Sequence, residues 1–275
     1  MLDRRTFVLG TAATAALVST AATTASAATP VDRVAGPATT GDTPRALARQ
    51  GGSWVLVDPS GATLPTTGLT GADVVDATVS GTTAIAVGSL GDEPVAVIWE
   101  STDGLAWREV RRLHGVRSAF TAVGPGLALG SVLAHEKAPV TRIAARRSAA
   151  GWTTVPARGP EWTDGWSATA LASTPEGWIA AAVGVSGTVL HSSRDGVTWS
   201  AHSRVDGVAV RALVHTPAGV RWIGNELAGS APLTGLLGSA PTAAPVPFSA
   251  KASGTAGDRF GWLADGRLVT TEVSR

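Results

Sequence analysis

An all-β chain built from repeats is the fold class that the sequence predicts, and three observations carry the prediction. The first is composition. Among 275 residues there are 33 Gly, 16 Pro and only 16% charged side chains. Short strands joined by tight turns need that mixture: β-branched and aromatic residues suit strands, and Gly and Pro make turns. The second is a phrase used twice. Ser101-Thr102-Asp103-Gly104-Leu105-Ala106-Trp107 and Ser193-Arg194-Asp195-Gly196-Val197-Thr198-Trp199 both read Ser-x-Asp-Gly-x-x-Trp. The third is its period. A degraded copy, Arg147-Ser148-Ala149-Ala150-Gly151-Trp152, lies between the two, and Trp107, Trp152 and Trp199 are 45 and 47 residues apart. A period in the forties marks an array of one supersecondary unit.

Each unit divides into four strand-like runs. Residues 75 to 112 give VDATVSG, TAIAVGSL, VAVIWES and LAWREVRR; residues 167 to 203 give SATALAST, GWIAAAVGV, GTVLHSS and VTWSAHS. Four antiparallel strands per repeat of this length describe one blade of a β-propeller. The predicted fold is an all-β propeller of four-stranded antiparallel blades. Four units read as complete, at about 72–117, 118–166, 167–206 and 207–250. Residues 28–71 and 251–275 remain, and within them GGSWVLVDPSGATLPTT (51–67) and GDRFGWLADGRLVTTEV (257–273) read as hairpins. In the first of them WVLVDPSGATLP aligns Gly61 with Gly104 and puts Leu64 in the Trp position. The residue count favours six blades, with N- and C-terminal strands sharing one. Five blades with an elaborated closing blade is the alternative. Either ring removes exposed sheet edges.

The residue types in the phrase suit a turn between the third and fourth strands of a blade. Gly104 and Gly196 tolerate positive φ. The carboxylates of Asp103 and Asp195 can accept turn N–H groups, and Ser101 and Ser193 can tie the turn from its other side. Trp107 and Trp199 then pack between neighbouring blades. The phrase is expected to recur because each blade needs the same clamp. Trp99 and Trp222, inside strand runs, read as core.

The motif resembles the Asp-box, or bacterial neuraminidase repeat, although the residue usually found between Asp and Gly is missing. The resemblance implies a sialidase-like propeller in which these turns lie on the rim. It also implies where sialidase chemistry would reside: a tyrosine nucleophile paired with glutamate, an arginine cluster and an aspartate acid/base. The chain has no tyrosine, which disfavours orthodox sialidase activity.

Other chemistries find little support. A glycosidase needs two carboxylates flanking the scissile bond. The candidates are loop acids: Asp92, Glu93, Glu136, Glu161, Asp164, Glu176 and Glu226. No Gly-x-Ser-x-Gly elbow, Walker loop or dinucleotide fingerprint occurs. With no cysteine and five scattered histidines, neither metal nor cofactor is expected. Net charge is +1, which does not favour nucleic acid as a partner.

Residues 1 to 27 read as an address. Arg4 and Arg5 precede an apolar run that starts at Phe7, and the segment ends Ala25-Ser26-Ala27. That is the layout of a signal peptide, and the paired arginines with Phe7 resemble the twin-arginine export motif. Cleavage is expected after Ala27, leaving 28–275 as a single propeller domain, secreted and without a membrane anchor. The most unusual loop is RGPEWTDGWS, residues 158–167, where Glu161, Trp162, Asp164 and Trp166 cluster. Indole faces beside carboxylates suit sugars; another packing turn is the plainer reading. A second loop, LAHEKAP at 133–139, reads as an exposed turn. The sequence therefore predicts a non-catalytic secreted propeller that binds a glycan, a cell-envelope polymer or a protein through its loop face. The alternatives are an extracellular glycan-active hydrolase or lyase, favoured by converging carboxylates in the channel, and a purely structural partner module, favoured by a large apolar patch.

Overall fold

The computed structural model describes residues 31–38, 45–58, 60–114, 117–159, 167–229 and 231–243, together with three strands between 253 and 272. These residues fall in one compact unit, Val31–Arg275.

Five four-stranded antiparallel sheets follow one another along the chain, each a simple meander. The first blade is β1(Val31–Pro37), β2(Ala46–Gln50), β3(Ser53–Val57) and β4(Thr63–Pro65). The second is β5(Ala72–Ser80), β6(Thr83–Leu90), β7(Val95–Ser101) and β8(Arg108–Arg112). The third is β9(Arg117–Gly124), β10(Leu127–Leu133), β11(Thr141–Ser148) and β12(Gly151–Pro156). The fourth is β13(Ala168–Thr174), β14(Gly177–Gly184), β15(Gly187–Ser193) and β16(Ser200–Asp206). The fifth is β17(Val208–Thr216), β18(Gly219–Glu226), β19(Pro232–Leu236) and β20(Thr242–Ala243). The strands β21(Ser253–Ala256), β22(Arg259–Ala264) and β23(Arg267–Glu272) form a separate three-stranded sheet. The first strands β1, β5, β9, β13 and β17 pack side by side in chain order, and β21 touches both β17 and β1.

The predicted architecture holds, and the favoured count of six four-stranded blades is corrected to five. The expected hairpin at 51–67 is present as β3 and β4, but β1 and β2 extend it to a whole blade. The C-terminal residues were expected to share a blade with the N-terminus, yet β21–β23 pair only with one another among the described strands. Leu64 does not occupy a Trp position: it is exposed.

Interior strands are buried on both faces, so they read as apolar runs rather than as alternation. In β6, Ala84 and Ala86 face the first blade while Ile85 and Val87 face the third; in β7, Val97 and Trp99 face the first while Ala96 and Ile98 face the third. The core is accordingly a series of layers between blades. One joins the first and second, one the second and third, one the third and fourth, and one the fourth and fifth. Trp99 and Trp222 are fully buried in these layers, as expected. The first strands of all five blades carry a one-residue register shift, as at Val74/Asp76 in β5 and Val210/Ala212 in β17. Such bulges bend a strand and raise its local twist.

Candidate functional site

The repeated phrase forms the turn between the third and fourth strands of the second and fourth blades. Ser101, the last residue of β7, accepts the Gly104 N–H at 2.8 Å and donates to Asp103 Oδ1 at 2.9 Å. The same Oδ1 accepts the N–H groups of Leu105 and Ala106 at 2.8 and 2.9 Å. The fourth blade repeats the pattern. Ser193 accepts from Gly196, and Asp195 Oδ1 accepts from Ser193, Val197 and Thr198 at 2.7 to 2.9 Å. Backbone N–H bonds stabilise the ionised form. Those from Ala106 and Leu105 hold the Asp103 carboxyl below the usual range, and those from Thr198 and Val197 bring Asp195 to about 2. A carboxylate so held is a poor general acid at neutral pH.

Each turn also grips the preceding blade. Gly104 has φ +75°, and a Cβ there would lie 2.2 Å from the Ala38 carbonyl oxygen at the end of β1. Thr67, beyond β4, donates to the Leu105 carbonyl at 2.8 Å and accepts from the Trp107 N–H at 3.0 Å. Arg158, beyond β12, makes the same pair with Val197 and Trp199 at 2.8 and 2.7 Å. Trp107 and Trp199 are buried in the layers between blades, as predicted.

The expectation of one clamp per blade is corrected. The first blade uses Asp58, which accepts the N–H groups of Ser60 and Ala62. The third closes a tight hairpin through Ser148, whose hydroxyl donates to the Gly151 carbonyl. The fifth uses Ser239, which donates to the Leu236 carbonyl. Any short side-chain oxygen can close this turn, and two of the five blades use the full phrase.

Two clefts flank the turn of the fourth blade and share Asp195 and Thr198 as a dividing ridge. The first, about 540 Å³, is lined by Glu176 and Trp178 from the start of β14, Ser192 and Arg194 at the end of β15, and His202 on β16. Trp178 is half-buried, while Glu176, Arg194 and His202 are exposed. The indole lies over Gly124 of β9, where a Cβ would come within 2.9 Å of the ring. The second cleft, about 510 Å³, is lined by Arg146, Arg147, Thr153 and Arg158 from the third blade.

The ring's inner strands place a carboxylate that the sequence reading missed. Asp76 Oδ1 accepts the Ala77 N–H at 2.9 Å, and Oδ2 accepts the Val123 N–H of β9 at 2.8 Å. Burial pushes this carboxyl up to about 7, against the lowering effect of those N–H groups and of Arg33. The signal was a lone acid inside the apolar run Val74-Val75-Asp76-Ala77. On the same strand Asp73 forms an ion pair with Arg33 of β1 at 2.7 Å.

Of the predicted loop residues, Glu161, Trp162, Asp164 and Trp166 lie outside the described residues, as do Arg4 and Arg5. Asp92, Glu93 and Glu136 occupy exposed turns of the second and third blades, Glu226 is the exposed last residue of β18 in the fifth, and Glu176 lines the first cleft. His135, Glu136 and Lys137 form an exposed turn, as expected. Among the described residues no group of three His, Asp or Glu side chains is placed to hold a metal ion, and no helix is long and apolar enough to cross a membrane.

No family model matches the chain, and no curated protein matches it significantly. Among solved structures, the chain is similar to YCF48 bound to a D1 peptide, at 15% identity, covering 90% of this chain and 94% of that one, with a TM-score of 0.49. It is similar to virginiamycin B lyase from Staphylococcus aureus at 12% identity, covering 88% and 84%, with a TM-score of 0.49. It is also similar to exo-beta-1,3-galactanase from Phanerochaete chrysosporium at 8% identity, covering 86% and 66%, with a TM-score of 0.48. The propeller assignment rests on the chain's own sheet order and on the contacts between its first strands.

Proposed function

We propose that this chain is an exported, non-catalytic propeller of the Asp-box, sialidase-like kind, and that it binds a carbohydrate polymer at the turns of its fourth blade. Export follows the twin-arginine route through Arg4 and Arg5, with cleavage after Ala27. One observation carries the binding reading: in an open cleft of about 540 Å³, the half-buried indole of Trp178 stands beside Glu176, His202 and the Ser192 hydroxyl. An indole edge offers a surface for sugar C–H groups, and carboxylate, imidazole and hydroxyl groups can bond to sugar hydroxyls.

A binding role is supported over hydrolysis by the state of the carboxylates. Asp103 and Asp195 are tied to backbone N–H groups in their turns. Both oxygens of Asp76 accept backbone N–H groups, and Asp73 is paired with Arg33. In the cleft itself the one carboxylate beside Glu176 is Asp195, which is tied in this way, so the two are not free to divide acid and base roles.

The test is a glycan and cell-wall-polymer array probed with residues 28–275. A Glu176→Gln, His202→Ala variant and a Trp162→Ala, Trp166→Ala variant run in parallel. Binding lost in the first variant and kept in the second supports the cleft. Binding lost only in the second moves the site to the 158–167 loop. No binding to any polymer overturns the carbohydrate reading and leaves a protein partner as its replacement.

A further inference from the structure

The second cleft differs from the first in charge. Three arginines of the third blade line it: Arg146 and Arg147 on β11, and Arg158 just past β12. Arg147 is compensated, since its Nε lies 2.8 Å from Glu100 Oε1 of the second blade. Arg146 and Arg158 are exposed, and neither has a hydrogen bond or ion pair from its guanidinium to any other described residue. Arg158 is fixed at its root, because its backbone N–H and carbonyl are both bonded to the turn of the fourth blade. The one acid of this cleft is Asp195. Its Oδ1 already accepts three donors and its Oδ2 accepts the Thr198 hydroxyl at 3.2 Å. The carboxylate is turned onto its own loop, and two guanidiniums remain to face the open space. Each is charged at any physiological pH and carries a planar fork of donors suited to carboxylate or sulfate oxygens.

Resting on the carbohydrate reading above, we propose that the ligand is an anionic polysaccharide lying across the Asp195–Thr198 ridge, with a carboxylate or sulfate group held by Arg146 and Arg158 while a neighbouring sugar ring rests against Trp178. The geometry that carries this is the shared ridge. Asp195 and Thr198 border both clefts, so one strand of polymer can occupy the two without crossing another element. Thr153 on β12 adds a hydroxyl to the second cleft, and Thr198 on the ridge borders both. A neutral polymer would fill only the first cleft.

The experiment compares binding of residues 28–275 to three soluble polymers: a uronate polymer, a sulfated polymer and a neutral polymer of similar linkage and length. Titration calorimetry is run at two salt concentrations. Anionic chains are expected to bind more tightly than the neutral one, with an affinity that falls as salt rises. The Arg146→Gln, Arg158→Gln variant should weaken anionic binding by roughly tenfold or more, the scale of losing charge-assisted hydrogen bonds. Neutral binding should stay unchanged. Whether the uronate or the sulfated polymer loses more identifies the group held. A control variant, Arg108→Gln with Arg117→Gln, removes two exposed arginines elsewhere and should alter nothing. Equal affinity for neutral and anionic chains, or equal losses in the two arginine variants, overturns the proposal while leaving the carbohydrate reading intact. Absence of binding to all three polymers removes the carbohydrate reading itself, and this proposal with it.

Discussion

The interface between the third and fourth blades and the interface between the second and third are built on different plans. The third and fourth are joined by backbone: the Ser193–Trp199 turn reaches over to Arg158 with two N–H to carbonyl bonds and buries Trp199 in the layer behind them. The second and third have no such turn to share. Trp152 is buried in an equivalent layer, but its Nε1 donates at 2.9 Å to Glu100 of the second blade instead of to its own turn. Arg147 closes on the same carboxylate oxygen, and Arg111 of β8 donates to the Thr154 hydroxyl of β12. The third copy of the phrase has no aspartate and no backbone clasp, and a side-chain network of charges spans the gap. The comparison separates two parts of the motif. Both of these interfaces bury the Trp, and the Ser-Asp-Gly portion is one of several ways to hold the turn that delivers it.

The largest effect should come from removing that common element. Trp199→Ala empties a position almost fully enclosed by Leu127, Leu129, Ala144 and Leu171. A buried Trp→Ala change costs about 3–5 kcal/mol. Trp152→Ala should fall in the same range by denaturant unfolding, because the burial term is shared. If Trp199→Ala cost less than about 1 kcal/mol, the tryptophans would not be the common requirement.

The next effect separates the two plans. Glu100 has 14% of its side chain exposed and Arg147 has 30%. Glu100→Gln leaves Arg147 without its counter-charge and should destabilise by about 1–3 kcal/mol, as expected when a partly buried charge loses its partner. Arg147→Met alone leaves Glu100 uncompensated. The double variant should recover part of the loss, and the coupling measured by a double-mutant cycle is the quantity that matters. Strictly additive losses would show that the network does no more than fill space.

What the sequence made legible follows the same division. The Trp spacing and the runs flanking each turn revealed the blades, because every blade must bury both faces of its middle strands. Ser101, Asp103 and Gly104 could be assigned hydrogen-bonding roles in advance, since all their partners lie within seven residues. The interface between the second and third blades was illegible for the opposite reason. Glu100, Arg147 and Asp76 act on residues about 50 positions away, and nothing local marks them. Arg158 heads the 158–167 loop that the sequence marks, but Arg146 looks like an ordinary surface charge until the fold sets it in the same cleft. In the first blade only the β3–β4 hairpin is legible, because Asp58 closes its turn without a following Trp.

In pH dependence the two interfaces should respond with opposite signs. Asp195 titrates at about 2 in the folded chain, below its ordinary 3.8. The unfolded chain therefore binds more protons between those values, so the stabilisation is fully present above about pH 4 and is lost as pH falls toward 2. Because this carboxylate is exposed, solvent screening limits the contribution to about 1 kcal/mol. Asp76, which bridges β5 to β9, is raised to about 7. Here the folded chain binds the extra proton, and stability falls as pH rises from about 4 through 7. Unfolding free energies of the parent, Asp195→Asn and Asp76→Asn across pH 2–8 measure both slopes. The Asp195→Asn deficit should shrink steadily from pH 4 to pH 2. The Asp76→Asn deficit should be greatest near pH 4 and should narrow toward pH 7, because the parent alone must ionise a buried group. Curves parallel to the parent would mean that neither carboxylate changes its proton affinity on folding, and the contrast between a solvent-facing clasp and a buried inter-strand bridge would lose its electrostatic basis.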